Sequence, residues 1–114
     1  MKIFTRTQLT ETDDELQAHI ERHVRFALNR FADRVWRVHV QVRDLNGPRG
    51  GMDTECKIRV ELDTRASLLV KELDSCPFAA VANATSRLGR VVSKHVDRVH
   101  RTRRARARSL QNAS

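Results

Sequence analysis

Two stretches of this chain alternate strictly between apolar and polar residues. In residues 36–43, WRVHVQVR, Trp36, Val38, Val40 and Val42 fall on one side, and Arg37, His39, Gln41 and Arg43 on the other. In residues 54–62, TECKIRVEL, the apolar side holds Cys56, Ile58, Val60 and Leu62, and the polar side Glu55, Lys57, Arg59 and Glu61. A period of two with one apolar side is the mark of a half-buried strand. A sheet built from such strands offers one apolar face, so every covering element must come to that face. Residues 2–8, KIFTRTQ, and the run from Ala66 to Leu73 read as two further strands. In the first of these the inward side stays open, with Ile3, Thr5 and Thr7 against Phe4 and Arg6.

Two helices supply the cover. From Thr12 to about residue 32, Leu16, Ile20, Val24, Ala27, Leu28 and Phe31 recur with a helical period. Thr12 and Glu15 fit a capping box, and Asp13, Asp14 and Glu15 suit the positive end of the helix dipole. The second helix spans roughly Ser75 to Arg103, capped by Asp74 or Ser75, with Pro77 in its first turn. Its stripe runs through Phe78, Val81, Thr85, Leu88, Val92, Val96 and Val99. The order is β-α-β-β-β-α. A right-handed crossover makes the first two strands parallel, and hairpins add the others antiparallel. The predicted fold is α+β: a two-layer βαβββα domain, its four-stranded mixed sheet carrying two helices packed on one face. The loop DLNGPRGGM, residues 44–52, is rich in turn signals. It presents Arg49 among glycines, open both to phosphate contact and to turn chemistry alone.

Charge is distributed unevenly. Residues 1–74 hold 13 Lys+Arg and 13 Asp+Glu, whereas residues 75–114 hold nine Lys+Arg and one acid, Asp97. The formal charge of +8 therefore lies entirely in the last helix and its tail. Arg87, Arg90, Lys94, Arg98 and Arg101 follow at intervals of three or four, forming one row along about four turns. Like charges so spaced repel, and a polyanionic partner is the usual reason to keep them; a solvated face is the plainer alternative. The basic half of the first helix, Arg22 and Arg25, is either dipole complementation or the edge of the same surface. Residues 101–108 carry five arginines and little to bury, so the helix is expected to fray there. The expected division is a folded domain over residues 1–100 and a flexible Arg-rich tail over 101–114.

Other function classes find no support in the pattern. No GxGxxG, P-loop or CxxC occurs. Cys56 and Cys76 read as small buried hydrophobes, reduced in a cytosolic setting. His19 and His23 lie four apart, but HIERH lacks the zincin glutamate, so they read as exposed helix histidines and no metal or cofactor is expected. His95 and His100 flank the basic row. No apolar run spans a bilayer, and MKIFTRTQ lacks a signal-peptide core, which points to the cytoplasm. The chain has no Tyr, and its Phe and Trp mostly take core-facing phases, which argues against bases stacking on the sheet.

Four segments carry a family resemblance: MKIFTRT, RFALNRFADRV, DLNGPRGGMD with ECKIRVEL, and DSCPFAAVANATSRLGRVVSKH. With them the chain resembles the ribosome hibernation-promoting factor family, once called sigma-54 modulation proteins, over nearly all of residues 1–100. The resemblance implies the same βαβββα fold. It also implies a non-enzymatic translation inhibitor that binds the small ribosomal subunit in the mRNA and tRNA cleft and promotes hibernation in stress or stationary phase. Ribosomal RNA contacts would come from Arg87, Arg90 and Lys94, with Arg22 and Arg25 matched less closely. Arg98, Arg101 and Arg49 are the further candidates. A short-form monomer with no small-molecule substrate is expected; an RNA- or DNA-binding regulator that does not act on ribosomes is the alternative.

Overall fold

The computed structural model describes residues 1–9, 14–45 and 53–112. In chain order it comprises β1 (Lys2–Gln8), α1 (Asp14–Leu28), a 3₁₀ turn (Asn29–Arg34), β2 (Val35–Asp44), β3 (Thr54–Leu62), β4 (Ser67–Asp74) and α2 (Pro77–Asn112). Thr12 and Arg49 lie outside the described residues, so the capping box and the loop arginine receive no structural account. The sheet order is β1-β2-β3-β4, with β1 parallel to β2 and the other neighbours antiparallel. This is the four-stranded mixed sheet that the alternation predicts. One face is covered: Val38, Val40 and Val42 of β2 and Ile58, Val60 and Leu62 of β3 are buried against Leu16, Ile20, Val24 and Leu28 of α1 and Val81, Leu88 and Val92 of α2. β1 turns Ile3, Thr5 and Thr7 toward the helices, where Thr5 Oγ1 accepts a 2.6 Å bond from Gln17 Nε2.

Trp36 departs from the alternation. The β2–β3 register shifts between Val35 and Arg37, so Val35 pairs with Leu62 while Arg37 pairs with Glu61. The extra residue is a bulge, which breaks the period of two. Val35 therefore takes the buried place, and Trp36 lies 52% exposed. A second departure is Glu55, on the outward phase yet buried, held by Arg43 Nε at 3.0 Å and Lys71 Nζ at 4.0 Å.

The first helix gives way after Leu28 to the 3₁₀ turn, which keeps Phe31 packed against the core beneath the Arg30 guanidinium, 4.7 Å from the ring centroid. At the other junction the Asp74 carboxylate accepts the Cys76 N–H at 3.1 Å, and the Cys76 carbonyl accepts the first helical bond from Ala80. Cys76 therefore stands at the exposed helix entrance rather than in the core; Cys56 is buried as expected. Burial pushes the Cys56 thiol up to about 12, with the Glu55 charge adding to the effect. Thr85 completes the apolar stripe by donating its hydroxyl to the Val81 carbonyl at 2.9 Å.

The second helix is 36 residues long, about 54 Å at 1.5 Å per residue. It gives the molecule its long axis, 68 Å against 21 and 18 Å. Among the described residues, the last side-chain tie to the body is Arg34 Nη2 donating to His100 Nε2 at 3.1 Å. Instead of fraying near Arg103, the helix continues through Asn112, with residues 101–109 exposed on every side. The docked portion supplies the nucleus, and Arg and Ala are good propagators. About 18 Å of helix thus projects past the packed body.

Candidate nucleic-acid interface

The helical layer presents its outer surface away from the sheet. On α2 the stripe of Leu88, Val92 and Val96 faces the core, and the basic row occupies the opposite side. The row divides into three settings. Arg87 leans toward the sheet edge, where its Nη1 meets Glu72 Oε1 of β4 at 3.2 Å. Arg90 and Lys94 border a groove between α1 and α2, facing Phe26 and Arg30 across it. Arg98 and Arg101 are exposed near the end of the packed body. Among the described residues, no ion pair joins Arg90, Lys94, Arg98 or Arg101 to an acid.

The groove exists because the helices approach closely at Gly89. A Cβ placed there would lie 3.5 Å from the Ala27 carbonyl oxygen, ordinary contact distance, so Gly89 leaves the floor low without being sterically obligatory. On the α1 side, Arg22 and Arg25 flank Phe26, which is 88% exposed. Phe26 is the largest apolar exposure in the layer, and Arg22, Arg25, Arg30, Arg90 and Lys94 line the hollows on either side of it. Its place on the polar phase of α1 is legible in the sequence; its position opposite Arg90 and Lys94 is not, because that depends on helix packing.

The histidines are more structural than their spacing suggests. His19 is half-buried, donates Nε2 to the Phe78 carbonyl at 3.1 Å, and packs its ring edge-on to Phe78. It fastens α1 to the start of α2. His23 lies against His19, ring centroids 4.0 Å apart. Partial burial, and then the neighbouring His19 and Arg22, lower the His23 pKa. His95 and His100 are half-buried between α2 and the body, off the basic row. Among the described residues, no group of three or more His, Cys, Asp or Glu is placed to hold a metal ion, and no helix is long and apolar enough to cross a membrane.

The two-layer βαβββα body is shared with known proteins. The sequence pattern described as Sigma 54 modulation protein / S30EA ribosomal protein matches residues 3–100. The chain belongs to that family. This member also matches solved structures in fold. A ribosomal subunit interface protein from Coxiella burnetii superposes with a TM-score of 0.70 at 14% identity, over 85% of this chain and 99% of its own. The N-terminal domain of Thermus thermophilus Protein Y gives 0.63 at 21% identity, over 82% of this chain and 94% of its own. No curated protein sequence matches significantly. The family match ends at residue 100, the residue of the last tie between α2 and the body.

Proposed function

We propose that this protein is a non-enzymatic translation inhibitor that docks its helical layer on ribosomal RNA of the small subunit. It would occupy the cleft used by mRNA and tRNAs and hold ribosomes idle under stress or in stationary phase. The observation that carries this reading is the groove in which Arg90 and Lys94 face Phe26 and Arg30, in a member of a ribosome-associated family. The cations of the row stand about 5–6 Å apart along α2. They are mounted on a helix, so little backbone freedom is lost when phosphates bind. Binding releases condensed counterions from the RNA, and that release drives association at low salt. Inhibition then follows from occupancy alone, since a body 21 by 18 Å in cross-section fills space that substrates need. The protein acts as a cytoplasmic monomer on this reading, with Arg22, Arg25, Arg87, Arg98, Arg101 and Arg49 as outlying contacts.

The test is sedimentation. In a gradient of stationary-phase lysate the protein should travel with small subunits or whole ribosomes, and a chain carrying Arg90→Ala and Lys94→Ala should shift toward the top. If the unaltered protein stays at the top, ribosome binding is excluded and a regulator acting on other RNA or DNA becomes the better reading.

A further inference from the structure

The neutral balance of residues 1–74 conceals a second basic surface. All helices cover one side of the sheet, so the outward side chains of four strands form an open face. Its cations are Lys2 and Arg6 of β1, Arg37 and Arg43 of β2, Lys57 and Arg59 of β3, and Lys71 of β4. Its acids are only Glu55 and Glu61, and both are engaged. Glu55 is bonded to Arg43, and Glu61 lies 3.7 Å from Arg37, 3.8 Å from His39 and 4.0 Å from Arg59. Among the described residues, the other acids of this part of the chain lie on α1, in the 3₁₀ turn, in loops, or on the covered side, such as Glu72.

At the centre of this face is a ring pair. Register places Phe4 beside His39, His39 beside Arg59, and Arg59 beside Leu69. The Phe4 and His39 rings stack at 5.2 Å with only 14° between their planes. Phe4 is 48% exposed, and Leu69 is 60% exposed at the other end of the row. The rings border a shallow depression shared with Arg6, Gln41, Lys57 and Arg59. The expectation that the aromatics face the core fails here, because β1 turns its other side inward and the bulge carries Trp36 outward.

The geometry points to a second nucleic-acid site on the open sheet face, which takes a single-stranded RNA segment by stacking an unpaired base on the Phe4–His39 pair while Arg6, Lys57 and Arg59 neutralise its phosphates. Charge complementarity selects a polyanion, and the exposed Phe4 ring, backed by His39, selects one with free bases. A duplex offers phosphates but keeps its bases stacked inside. Base stacking on an aromatic side chain is worth roughly 1–3 kcal/mol and tolerates any sequence. The helical layer and the open face point in opposite directions, so one chain would hold two RNA segments at once. This site does not depend on ribosome binding.

The test uses the full chain, a labelled mixed-sequence RNA 12-mer, a duplex RNA of the same length, and an acidic peptide of matched charge. Phe4→Ala and Phe4→Leu remove the ring; the second keeps apolar bulk and guards against a folding defect, checked by thermal melting. Both should weaken 12-mer binding by about fivefold or more and leave duplex binding unchanged. Arg6→Ala with Lys57→Ala should flatten the salt dependence by about 0.7 per lost phosphate contact. Equal 12-mer affinity for Phe4→Leu and the unaltered chain overturns the proposal, as does peptide binding as tight as RNA binding, which would indicate a charge-only protein-docking face. Sedimentation with ribosomes should survive Phe4→Leu, so failure here is distinct from failure of the ribosome reading.

Discussion

The three settings of the basic row predict unequal effects within it. Arg90 and Lys94 are exposed, off the core stripe and without acidic partners among the described residues. Replacing both by Ala should leave thermal stability unchanged. If each contacts one phosphate, the slope of log K against log salt should flatten by about 1.8, at 0.9 per contact. Between about 50 and 200 mM salt, the ratio of unaltered to variant affinity should then shrink by about tenfold. Arg87 behaves differently: its guanidinium is 3.2 Å from Glu72 Oε1, so an incoming phosphate must compete with a carboxylate already in place. Arg87→Ala should flatten the slope by less than either neighbour does. The assay is fluorescence anisotropy with purified small subunits at fixed magnesium. Parallel log–log lines for the double variant would refute the argument and leave the row a solvated face.

Three further outcomes follow from the geometry. Truncation after His100 removes five arginines and lowers the formal charge from +8 to +3; melting should stay within a few degrees because residues 101–109 pack on nothing, while association slows at low salt. The folded-state pKa of His23 is lowered, so the unfolded chain binds the extra proton first. Stability should fall as pH drops below about 6.5, and His23→Gln should reduce that acid sensitivity in pH-dependent melts. Cys76 should react with a thiol reagent in the native state while Cys56 stays protected until unfolding, giving one adduct by mass before denaturant and two after it.

Most of the architecture was legible because alternation and helical periods are local signals. Strand limits in β3, the inward residues of β2 apart from Trp36, and the buried stripe of α2 follow from spacing alone. What escaped depends on neighbours. The bulge that exposes Trp36 is a register event between two strands, invisible in either one. The pairing of Arg87 with Glu72 joins residues 15 apart in the chain. His19 looks solvent-facing on a helical wheel, but the start of α2 covers it. The positive open face was accessible in principle: counting charges by strand phase rather than by segment separates Arg6, Arg37, Lys57 and Arg59 from acids that lie elsewhere. The helix continues beyond Arg103 without burial because its docked portion already supplies the nucleus.

The strand order has a consequence for the timing of folding. β2, β3 and β4 pair antiparallel with their sequence neighbours, so loop closure among them is cheap, whereas the parallel β1–β2 pair must close across α1. The cover is another matter. Ala80, Val81, Ala84, Leu88, Val92 and Val96 supply much of the apolar layer over the sheet, and all come after the last strand. A nascent chain that has emerged only as far as Asp74 holds all four strands but leaves that part of the sheet wet. Such a fragment should show strand signal with broad, non-cooperative melting and should bind a hydrophobic dye; a sharp transition would show that α1 alone suffices. Cooperative folding therefore waits for the helix that carries the cations, and the structured body and the basic row are completed together.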